Sequence, residues 1–194
     1  SETQGRLVKA ALPASMLKSP LDVTVYLPPC YSEESTRSYP TLYMLHGLSN
    51  TNEQWVRLGL TDTADRLITA GKIQPMLIVM PYELNWQLSP DQSGFGRAIT
   101  EVLIPWVEKT YHACSESDCR AIGGLSRGGN WAVRIGFENW QLFSAIGAHS
   151  TPLFIGGILE LNSAIHKLPG PADAPAVYVD AGSKDENITS VREF

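Results

Sequence analysis

Ala121-Ile122-Gly123-Gly124-Leu125-Ser126-Arg127-Gly128-Gly129 is the stretch on which the fold turns. It contains the pattern Gly-x-Ser-x-Gly, with Ser126 at its centre. A serine that attacks carbonyl groups must stand on a sharp strand-to-helix turn, so that its hydroxyl projects from the carboxyl edge of a sheet. Side chains at the flanking positions crowd so tight a turn, which explains the glycines. Five residues of this kind are weak evidence alone. Here an apolar run precedes Ser126, and Trp131, Ala132 and Ile135 follow at helical spacing. The bland alternative, a glycine-rich turn around an ordinary serine, does not require that setting.

Working outward, short and almost wholly apolar runs occupy residues 41–45, 76–80, 121–125, 143–148 and 176–179. Strands covered on both faces have this composition, and parallel sheets are built from them. Residues 21–27 alternate instead, as a half-buried strand does. Helical patterns lie between the runs. Leu60, Ala64, Leu67 and Ile68 share a face, with Thr61 as N-cap and Gly71 as stop. Ile99, Val102, Leu103, Trp106 and Val107 form a second face, in which Pro105 predicts a kink or a late start. This alternation predicts an α/β fold: a mostly parallel sheet with helices on both faces. Loops are expected at 32–38, 83–96 and 169–175, and none has the length or composition of a domain linker. One domain over 1–194 is expected, with a small cap over 151–172.

Two further segments carry chemistry. Leu45-His46-Gly47-Leu48 directly follows an apolar run. Acyl transfer needs donors aimed at the oxygen that becomes negative. One is expected from the backbone N–H after the nucleophile, at Arg127, and one from the loop after an earlier strand, at Leu48 beside Gly47. His46 reads as a buttress of that loop rather than a base. Val179-Asp180-Ala181-Gly182-Ser183-Lys184-Asp185 follows the last apolar run. An acid that orients an imidazole belongs in a loop just past a strand end. Asp185 fits best, with Asp180 and Glu186 as rivals.

In these residues the chain resembles the putative-esterase group of the α/β-hydrolase superfamily, which includes feruloyl and acetylxylan esterases, S-formylglutathione hydrolases, enterochelin esterases and mycolyltransferases. The matching stretches are Val25-Tyr26-Leu27-Pro28-Pro29, Tyr39-Pro40-Thr41-Leu42-Tyr43-Met44-Leu45-His46-Gly47, Ile104-Pro105-Trp106-Val107-Glu108, and the segments 123–129 and 179–185. The resemblance implies an α/β-hydrolase fold, with Ser126 as nucleophile and Asp185 as acid. It implies the N–H groups of Leu48 and Arg127 as oxyanion donors. It also implies a substrate cleft beside Trp86 and Phe95, to which His46 and His149 are assigned as well. These aromatics serve equally as core.

The pattern breaks at the base. The four histidines are His46, His112, His149 and His166, and all precede Asp185. The order Ser, acid, His demands one that follows. Ile188, Val191 and Phe194 sit three apart, like the opening of an amphipathic helix. The expectation is therefore an α/β-hydrolase lacking its C-terminal helix, last strand and catalytic-histidine loop, with the histidine supplied by a further segment or a second chain. Among the present histidines His149, just past the run 143–148, is the one alternative base; packing against the loop or lining the cleft is its other reading.

The expected activity is carboxylic-ester hydrolysis through an acyl-enzyme, on a small or sugar- or aryl-linked ester. Two alternatives are a catalytically silent domain that binds a ligand or partner, and an acyltransferase using the same residues. No metal or organic cofactor is called for. A net charge of −5 in 194 residues gives no basic face for nucleic acid or an anionic membrane. The first residues carry no basic-then-apolar leader. Cys114 and Cys119 flank a short polar loop and are either a local disulfide, which favours an oxidising compartment, or free thiols alongside Cys30.

Overall fold

The apolar runs become β3 (Thr41–Leu45), β4 (Leu77–Pro81), β5 (Arg120–Leu125), β6 (Ala145–His149) and β7 (Ala176–Asp180). They join β1 (Arg6–Leu12) and β2 (Leu21–Leu27) in one seven-stranded sheet, ordered β1-β2-β4-β3-β5-β6-β7. The pairs from β4 through β3, β5 and β6 to β7 are parallel, and β2 and β1 close the other edge antiparallel. The computed structural model describes residues 3–34, 36–152, 162–168, 170, 173–186 and 188–189. Most of the cap expected over 151–172, and Val191 and Phe194 of the expected terminal helix, lie outside them.

β2 is not half-buried. Every residue but Asp22 is buried. Val23, Val25 and Leu27 enter one core and Tyr26 enters the other, so both faces are covered. Thr24, on the Tyr26 face, accepts a bond from Asn52 Nδ2 at 3.0 Å, which tolerates a polar residue there. β1 escapes sequence reading because an edge strand packs through one face only. Val8 and Ala10 are partly buried while Leu7 is exposed.

The helices start where backbone geometry allows rather than where side chains advertise. After α1 (Gln54–Arg57), α2 (Leu60–Thr69) begins at Gly59, whose φ of +80° turns the chain, so Thr61 lies inside the first turn and is not the cap. Gly71 does end it. Gly71 N–H bonds Ile68 O and Lys72 N–H bonds Leu67 O, a Schellman arrangement. The loop at 83–96 folds its end into two short helices, α3 (Pro90–Ser93) and α4 (Phe95–Ala98). Pro105 produces the late start: α5 (Ile104–Thr110) carries it in its first turn, and a π-helical segment, Ile99–Leu103, links α4 to α5. The wider turn accommodates a proline, which has no N–H to donate.

α6 (Arg127–Glu138) packs on β5 and β6. Trp131, Ile135, Ile122, Ile146 and Phe95 share the larger core. Tyr26, Met44, Ala64, Ile78 and Met80 form the smaller core with Trp55 and Leu60, so α1 and α2 lie on that face. Cys114 and Cys119 are disulfide-bonded. The bond closes a loop against buried Arg120, which donates to Ser115 O at 2.9 Å and Leu142 O at 2.7 Å and pairs with Glu108.

Candidate active site

Ser126 sits between β5 and α6 with φ +54° and ψ −116°, a conformation that L-residues rarely hold. Two hydrogen bonds pin it. Ser126 N–H donates to His149 O at 2.8 Å, and Asn130 N–H donates to Ser126 O at 3.0 Å. The glycines explain themselves by distance. A Cβ on Gly124 would lie 2.3 Å from the Gly128 carbonyl, and one on Gly128 would lie 2.3 Å from Leu45 O and 2.6 Å from His46 O. All of these are backbone atoms, which cannot rotate away. Gly128→Ala should therefore cost about 3 kcal/mol or more, at the upper end for overpacking. A urea titration would show it, and an unchanged midpoint would contradict so close an approach.

That approach also places the segment 45–48 against the start of α6. Gly47 N–H is occupied, donating to Gln54 Oε1 at 2.7 Å, and Gly47 O accepts from Asn50 N–H. Among the described residues neither Leu48 N–H nor Arg127 N–H has an acceptor. Gln54 escaped sequence reading: a glutamine four-residue helix carries no local signal of reaching back seven residues.

His46 is buried, and both ring nitrogens are engaged: Nδ1 donates to Gly47 O at 2.8 Å and Nε2 accepts Glu83 N–H at 2.8 Å. It is a buttress, held neutral, and burial pushes its pKa below the ordinary value against the smaller opposing pull of the Gly47 carbonyl and Glu83. The unfolded chain then takes up the proton first as pH falls through about 6.5. Stability from neutral His46 is complete above that pH and is lost below it. Urea midpoints should fall between pH 7.5 and 5.5, and less steeply in His46→Gln; equal slopes would contradict this.

The remaining residues divide. Phe95, expected on the cleft wall, is instead buried edge-on against Trp131 at 5.4 Å, so aromatic bulk there fills core. Trp86 is 39% exposed on the loop after Glu83. Asp185 lies over the end of β6, where Ser150 Oγ donates to its Oδ2 at 2.5 Å. Asp180 instead approaches His149: Nδ1 lies 2.9 Å from Oδ1, the geometry in which Nδ1–H donates to the carboxylate and Nε2 is left as acceptor. Trp55 and Tyr178 flank that ring at 6.0 and 5.9 Å. His112 and His166 are exposed and bonded to the carbonyls of Glu33 and Asn162. Glu186 is exposed.

The family described as "Putative esterase" matches residues 14–193. The chain belongs to that family. It is 34% identical over 137 residues to an esterase of Mycobacterium tuberculosis, covering 67% of this chain and 29% of the relative. It is 28% identical over 171 residues to an endo-1,4-beta-xylanase/feruloyl esterase of Xylanibacter ruminicola, covering 83% of this chain and 22% of the relative. The chain thus spans less than a third of the length of these curated relatives. A solved ferulic acid esterase superposes with a TM-score of 0.79 at 28% identity, over 93% of this chain and 79% of that one. The fold is that of the α/β-hydrolase esterases.

Proposed function

We propose that this chain carries the nucleophile of a serine carboxylic-ester hydrolase. The observation that supports this most is Ser126 in a strained turn between β5 and α6, beside two backbone N–H groups without acceptors. Ser126 Oγ attacks the ester carbonyl as its proton passes to a base, and the Leu48 and Arg127 N–H groups hold the oxyanion. The C–O bond then breaks, the leaving alcohol takes the proton, and an acyl-Ser126 ester remains. Water, deprotonated by the same base, attacks the acyl carbon; the carboxylic acid departs and Ser126 regains its proton.

In this reading the base is a histidine from outside these 194 residues, from a further segment or a second chain, oriented by Asp185. Both ring nitrogens of His46 are committed to backbone groups, and exposed His112 and His166 each bond a backbone carbonyl through one ring nitrogen. A second reading has its own support: His149, its Nδ1 held by Asp180, is also the residue whose backbone carbonyl accepts Ser126 N–H. The relatives named for feruloyl ester cleavage favour an aryl-linked or sugar-linked ester, with exposed Trp86 as one wall of its cleft.

Rapid mixing of the full natural protein with p-nitrophenyl acetate tests the reaction class. The proposal expects a burst of one p-nitrophenol per chain and an acetylated protein by intact mass. No turnover at all would favour a silent binding domain, and turnover with no acetylated protein would contradict the acyl-enzyme. An acetyl group delivered to an added sugar in preference to water would make it a transferase.

A further inference from the structure

One residue touches both segments that carry the acceptor-free N–H groups. Glu83 is 3% exposed, and its backbone N–H donates to His46 Nε2 at 2.8 Å, two residues before Leu48. Its carboxylate receives Arg127 Nε at 2.7 Å and Nη2 at 2.6 Å, a bidentate fork that also reaches Leu88 O at 3.4 Å. Arg127 is the residue directly after Ser126. Its guanidinium is thus spent on a buried carboxylate and a backbone carbonyl, a desolvation cost that only close geometry and full hydrogen bonding offset. A planar fork on a carboxylate fixes direction as well as distance.

We infer that the Glu83–Arg127 pair, with His46, is a positioning brace that sets the spacing between the Leu48 and Arg127 N–H groups. This rests on the proposed serine esterase reading and goes beyond it, because it gives both side chains a positioning role. Effects on a stabilised oxyanion appear in kcat and not in KM. Removing one donor outright typically costs ~10²–10³ in rate. Loosening a donor that stays present should cost less, about 10- to 100-fold.

Glu83→Gln and Arg127→Lys, made in the full natural protein, test the brace, with kcat taken per active site titrated by fluorophosphonate. Both are expected to lower kcat for p-nitrophenyl acetate by about 10- to 100-fold with KM within twofold, and Arg127→Lys to retain more rate than Arg127→Met. If Glu83→Gln does not fold, Arg127→Lys carries the test, since it keeps a cation against the buried Glu83 carboxylate. Unchanged kcat, or a loss confined to KM or to thermal stability, overturns the brace. Ser126→Ala run beside them separates the two claims: if it alone abolishes turnover, the esterase reading stands and the brace falls; if it retains turnover, the esterase reading falls.

Discussion

Replacing Ser126 by alanine in the full natural protein is expected to lower ester turnover by about 10⁶-fold, the size of effect seen when a triad serine is removed elsewhere. Labelling by a fluorophosphonate should vanish with it. The fold should survive, because the strained turn is held by backbone bonds from Ser126 N–H to His149 O and from Asn130 N–H to Ser126 O, which alanine keeps. Alanine at φ +54° is no worse off than serine, so stability should change little. Residual turnover above about a thousandth of the parent's would mean that another group attacks the ester.

The second large effect separates the two acids. Asp185→Asn should cost on the order of 10⁴ in kcat, as loss of an orienting carboxylate does in serine triads. Asp180→Asn removes the partner of His149 Nδ1 and should cost far less, if the base comes from beyond these residues. The reverse ranking would assign the acid to Asp180 and the base to His149. The two carboxylates lie at the ends of one short loop, so a pH-rate profile of each variant also tells them apart. Loss of the true acid moves the acidic limb set by the imidazole to lower pH, and loss of the other leaves it in place.

Much of this was legible in the sequence, for identifiable reasons. The central parallel strands show because burial on both faces demands unbroken apolar runs, and residues 121–125 and 76–80 supplied them. The turn at Ser126 shows because only glycine fits where Gly124 and Gly128 meet carbonyl oxygens. What stayed hidden depended on tertiary neighbours. β1 packs through one face and so left no strong pattern. Phe95 is placed at the cleft by resemblance and is equally open to a core role; it reaches back to Trp131 in the core. Pro105 announced a break, but only the ladder of bonds around it decides between a kink and a π segment. Glu83 had a readable trace, a carboxylate just past an apolar strand, but its partner lies 44 positions away. The disulfide was one of two open alternatives, since spacing alone does not bring sulfurs together.

Ser126 is the group proposed to become acylated. Trypsin separates it cleanly, because Arg120 and Arg127 bound a peptide, 121–127, in which Ser126 is the only hydroxyl. The full natural protein would be treated with a fluorophosphonate, digested and sequenced by mass spectrometry. The adduct is expected on peptide 121–127. An adduct on peptide 135–167, which holds Ser144, Ser150 and Thr151, with 121–127 left unmodified, would contradict it.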